Sequence, residues 1–98
     1  MQTKIGTATV FNHYPDKYMW AGGGDRSVKK TIRFEGQKFE TAPKVVASIS
    51  GFISYHGTDA RIKVDAIDIT TLSFVVEVST SVDTQLASVD IAWVAVSN

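Results

Sequence analysis

Val89-Asp90-Ile91-Ala92-Trp93-Val94-Ala95-Val96 is the stretch on which the fold turns. Val89, Ile91, Trp93 and Ala95 alternate with Asp90, Ala92, Val94 and Val96, the period of two that sends successive side chains to opposite faces of a β-strand. Beyond Ala92 both faces are apolar, so one face enters a core and the other is expected to meet a second surface. Working back along the chain, Phe74, Val76 and Val78 alternate with Val75, Glu77 and Ser79. Val28, Lys30, Ile32 and Phe34 alternate with Lys29, Thr31 and Arg33, a half-buried strand whose lysine snorkels. Residues 44–54 (KVVASISGFIS), 61–69 (RIKVDAIDI) and 4–11 (KIGTATVF) complete a set of six strands. Helical periodicity is absent.

Punctuation agrees with this division. Gly22-Gly23-Gly24-Asp25 reads as a loop, and Pro43 stands before a strand, where its missing N–H does least harm. Residues 55–59, 70–72 and 79–84 are further turns, while Gly51 inside a strand predicts a bulge or a close backbone approach. Short, evenly spaced strands rich in Val, Ile and Thr predict an all-β, six-stranded antiparallel sandwich. The 98 residues form one domain, 1–98, with enough chain for a single core.

Charge and composition exclude several functions. Ten basic residues balance ten acidic ones, whereas a nucleic-acid binder needs surplus Lys and Arg to displace counterions. No stretch approaches the about 20 apolar residues of a membrane helix, so neither nucleic acid nor membrane insertion is expected. A neutral chain that is 44% hydrophobic has little charge to keep copies apart, which favours association. The absence of cysteine rules out disulfides and thiolate chemistry. Met1-Gln2-Thr3-Lys4 has no apolar run behind it, so no signal peptide is expected, and a cytoplasmic or virion-associated setting suits the chain.

Catalysis finds no constellation. His13 and His56 are the only histidines, and no strained nucleophile turn frames any serine. Two separated histidines without cysteine do not make a zinc site, and no Asp-x-Asp-x-Asp-Gly loop is present. The chain is therefore read as non-enzymatic and without a cofactor, with a structural Ca²⁺ left open. The glycine run lacks the strand before and helix after that a phosphate loop requires. It reads either as a plain surface loop or as the wall of a shallow pocket, with Gly24 exposing backbone beside Asp25. Tyr14, Tyr18, Trp20 and Tyr55 fall in connections, where aromatics either plug the ends of a sandwich or stack on a sugar.

Ala42-Pro43-Lys44-Val45-Val46, Ser48-Ile49-Ser50-Gly51-Phe52 and Arg61-Ile62-Lys63-Val64-Asp65-Ala66 together resemble the H-type lectin domain family. Ile69-Thr70, Phe74, Asp83-Thr84 and Val89 to Ala95 continue the pattern, and Gly6 and Ile32-Arg33-Phe34 also fit. The resemblance implies a trimer, or a dimer of trimers, that binds galactose or N-acetylgalactosamine-type glycans between protomers. The outer face of the last strand would then pack around a three-fold axis.

Carried over residue by residue, Arg61 stands at the family's sugar-binding arginine, and Asp25 matches its hydroxyl-accepting loop aspartate. The turn at 80–84 departs from the pattern. Where family lectins carry a tryptophan, this chain has Ser81 and Val82, ahead of Asp83. Either Tyr55 and His56, the nearest candidates by loop position, substitute for it or the family site is weakened or re-specified, and residues 81–83 would reach the sugar from a neighbouring protomer. The alternative is a structural or receptor-binding trimeric module, such as a phage tail or fibre tip, with altered or no sugar binding.

Overall fold

A computed structural model describes residues 2–12, 25–36, 38–54, 61–81 and 86–97. Its strands are β1 (Gln2–Asn12), β2 (Arg26–Arg33), β3 (Lys44–Ser54), β4 (Lys63–Ile67), β5 (Ser73–Thr80) and β6 (Leu86–Ser97). They form two three-stranded sheets, ordered β1-β6-β3 and β2-β5-β4, in which every pairing is antiparallel. The all-β, six-strand expectation holds. The ends differ by one or two residues in most strands, because pairing with a neighbour, and not side-chain alternation, decides where a strand stops.

The core lies between the sheets. On β5, Phe74, Val76, Val78 and Thr80 face inward and are buried, and the alternate residues between them are half-buried. On β6 the expected inner set, Val89, Ile91 and Ala95, is buried, with Trp93 packed against it. Trp93 closes one end of the sandwich in an aromatic group, 5.4 Å from Phe74 and 5.6 Å from Phe34 by ring centroids. Phe39 meets Phe34 edge-on at 4.9 Å, the arrangement that aligns a ring's positive edge with a negative face.

Trp93 fits because its partner across β1 is Gly6. A Cβ there would sit 2.7 Å from the indole, so only glycine lets the ring lie against the strand. Gly51 marks the bulge its position predicts, since the β3–β6 register shifts between Ile49 and Gly51. A second shift, between Thr9 and Phe11, faces the same part of β6 from the other side. Opposed bulges bend the sheet at this level. Lys30, on the inward parity of β2, stays exposed as its snorkelling reading requires, and donates to the Thr9 carbonyl at 2.7 Å.

Turn chemistry holds the aromatic end. The Thr70 Oγ1 accepts from the Leu72 and Ser73 amides, both at 3.1 Å, which shapes the β4–β5 turn. That turn then receives the chain after β2: the Phe34 amide donates to the Leu72 carbonyl at 2.9 Å, and Phe39 to Thr71 at 3.0 Å. The opposite end of β5, at Thr80, is left to a surface groove.

Candidate binding groove

Three strands running side by side give the groove its order. In the β2–β5 register Arg26 faces Thr80, and Ser27 faces Ser79. In the β4–β5 register Lys63 faces the same Ser79. Ser27, Ser79 and Lys63 thus form one row across the outer face of the sheet. Continuing both registers past the strand ends brings Asp25 and Arg61 toward Ser81, in the next row and with the same parity. The preceding row is Lys29, Glu77 and Asp65.

The result is an open groove of about 750 Å³ lined by Asp25, Arg26, Arg61, Lys63, Ser79 and Ser81, among others. Serines at the centre of a three-strand row leave depth that longer side chains would fill. Cations stand on the β4 side, at Arg61 and Lys63, while the Asp25 carboxylate stands at the start of β2. Among the described residues the rim carries the loose ion pairs Lys29–Glu77 at 3.9 Å and Lys63–Asp65 at 3.6 Å. Exposed pairs of that length are worth about 0–1 kcal/mol each and yield easily to a ligand.

Two inward-facing residues form the inner wall. Arg26 is only 3% exposed and Thr80 only 5%, and both line the groove. The Thr80 Oγ1 is buried with no hydrogen-bond partner. An unsatisfied hydroxyl of this kind costs about 1–3 kcal/mol.

Of the residues singled out from sequence, Asp25, Arg61 and Ser81 come together in this groove. Gly24, Tyr55, His56, Val82 and Asp83 lie outside the described residues. Arg26 and Lys63 were not singled out. The signal for Arg26 was present, because the alternation Val28, Lys30, Ile32 extends backward by one step to position 26. Lys63 follows Arg61 on the same face by the same rule.

A family model described as the H-type lectin domain matches residues 29–96. That span includes Arg61 and Ser81 and begins after Asp25. A protein of Fuscovulum blasticum described as "ATP synthase subunits region ORF 7" is 29% identical over 94 residues, covering 95% of this chain and 81% of that protein. The wild-type discoidin II structure from Dictyostelium discoideum superposes with a TM-score of 0.86 at 18% identity, over 98% of this chain and 36% of that one. The native recombinant discoidin II structure gives 0.84 at 17% identity, over 96% of this chain and again 36% of that one. The chain therefore spans just over a third of the discoidin chains whose fold it shares.

Proposed function

The chain belongs to the H-type lectin domain family, a family of non-enzymatic carbohydrate-binding domains, and on that footing we propose that its groove holds galactose-type glycans. The observation that carries this reading is the convergence of Asp25, Arg61 and Ser81 on one groove. A carboxylate accepts from a sugar hydroxyl, and a guanidinium fork donates to two neighbouring oxygens. The Ser81 hydroxyl does either. Charge-assisted bonds of this kind contribute about 1.5–3 kcal/mol each, enough for a weak site that repetition turns into avidity.

Repetition would come from a trimer, or a dimer of trimers. What supports it is the outer face of the β1-β6-β3 sheet, where Ile5 is 76% exposed and Val46 65% exposed on either side of Val94. An apolar row across three strands favours association. In this proposal Gly24, Tyr55, His56, Val82 and Asp83 complete the site, with residues 81–83 reaching it from a neighbouring protomer.

The test is a glycan array probed with the assembled oligomer. Retention on galactose or N-acetylgalactosamine-type glycans, lost in Arg61→Ala, is the expected result. Silence on every neutral and acidic glycan would overturn the reading and favour the structural module.

A further inference from the structure

The sandwich has a second opening, where β1 at the edge of one sheet faces β2 at the edge of the other. A cleft of about 470 Å³ there is lined by Lys4 to Thr7, Ile32, Arg33, Glu35 and Trp93. Except for Glu35, these residues lie within β1, β2 and β6. The volume falls inside the roughly 300–1,000 Å³ of small-ligand sites.

Backbone alternation decides what the walls present. Thr9 turns its carbonyl out of the β1–β6 ladder, where it accepts from the Lys30 ammonium at 2.7 Å. Successive residues of a strand direct their backbone groups to opposite sides, so the N–H and C=O of Thr7 and Ile5 point the same way, into the cleft. On β2 the Phe34 amide donates to Leu72, which turns the backbone of Arg33 away from β5 and toward β1. The Glu35 carbonyl shares that direction and accepts from the Lys4 ammonium at 2.7 Å. Two strand edges thus face each other, each with amide donors beside carbonyl acceptors.

Between them the floor is apolar. Ile32 is buried, and Trp93 is half-buried with its Nε1 edge beneath Gly6, where the missing side chain lets the indole contribute to the wall. Arg33 and Glu35, both exposed, stand at the rim. The two lysine contacts bound this floor, Lys4 to Glu35 at one end and Lys30 to Thr9 at the other. Ammonium groups laid across a strand edge obstruct the addition of a further strand, so the occupant is a small ring and not an extended peptide.

The geometry points to a second carbohydrate site, which takes a single neutral sugar ring between β1 and β2 and does not depend on the groove at Arg61. Ring hydroxyls both donate and accept, and so match the paired amides and carbonyls of Ile5, Thr7 and Arg33. The apolar face of the ring lies against Ile32 and the indole edge of Trp93. At the rim the Glu35 carboxylate accepts from a hydroxyl and the Arg33 guanidinium donates to one, both in charge-assisted bonds. The lysine contacts hold the two edges apart before any ligand arrives, which lowers the ordering cost of binding.

Amide NMR on the ¹⁵N-labelled full chain tests this with methyl galactoside, methyl glucoside and methyl mannoside, each titrated into the parent, Arg61→Ala and Glu35→Gln proteins. The indole N–H of Trp93 reports on the cleft directly. With at least one probe that signal and the amides of residues 5–7 and 33 should shift saturably. Their dissociation constant should hold in Arg61→Ala and weaken about threefold or more in Glu35→Gln, which keeps the backbone carbonyl that Lys4 reaches. No saturable shift at these positions with any probe, an affinity untouched by Glu35→Gln, or shifts that vanish in Arg61→Ala would overturn the inference. Shifts at residues 25–27, 61–63 and 79–81 report on the groove separately, so either site can fail while the other stands.

Discussion

Replacing Gly6 with alanine should destabilise the domain even though it adds a single methyl group. The new Cβ would lie 2.7 Å from Cζ2, 2.8 Å from Cε2 and 2.9 Å from Nε1 of Trp93. Carbon atoms pack best at about 3.5–4.0 Å, so the ring must retreat by roughly an ångström. It has nowhere easy to go, with Phe34 and Phe74 centred 5.6 and 5.4 Å away. Overpacking of this kind costs about 1–3 kcal/mol. Alanine restores about 0.4–1 kcal/mol by restricting the unfolded chain. The net loss is on the order of 1–2 kcal/mol, a fall in Tm of roughly 5–15 °C for a domain of this size. Thermal unfolding followed by circular dichroism, at equal protomer concentration because association shifts Tm, measures it. Gly51→Ala is the internal control, since its Cβ meets only Asp90 Oδ2 at 3.8 Å, an ordinary contact. It should stay within about 0.5 kcal/mol of the parent. If Gly6→Ala unfolds at or above the parent's temperature, the packing argument for Trp93 is wrong.

Thr80→Val replaces an unpartnered buried hydroxyl with a methyl of the same shape, so it should be neutral or stabilise by about 1 kcal/mol in denaturant unfolding. A loss of stability would mean that the hydroxyl has a partner. Asp25→Asn removes an acceptor's charge from an exposed position; glycan affinity should drop by about tenfold or more while Tm barely moves, and unchanged affinity would remove Asp25 from the site. Ile5→Lys places a charge in the outer apolar row of β1. Sedimentation at micromolar concentration should show a trimer for the parent and smaller species for the variant, and an unaltered assembly would exclude that face as the interface.

The amino-acid sequence reveals those features that alternation and turn residues control. Val89 to Val96 shows which side chains of β6 enter the core, and Gly51 announces its bulge. Strand neighbours are another matter. Among the described residues β4 and β5 are the only consecutive strands that pair with each other; the remaining pairings join strands distant in the chain. The row through Asp25, Ser81 and Arg61 depends on the long-range β2–β5 register as well as on the local β4–β5 one, so no spacing along the chain foretells where Asp25 joins it. Family resemblance supplied Asp25 and Arg61, and the registers explain why they converge. Arg26 was legible but hidden: an arginine at the end of an apolar alternation reads as a strand flank until pairing with Thr80 draws it inside.

The central claim, that this groove binds carbohydrate, is tested most directly by amide NMR on ¹⁵N-labelled protein titrated with methyl galactoside. The groove predicts saturable shifts concentrated at residues 25–27, 61–63 and 79–81, converging to one dissociation constant. The cleft between β1 and β2, lined by Lys4, Gly6, Arg33 and Trp93, lies apart from these residues. Shifts confined to that cleft, or no saturable shift, would contradict that claim.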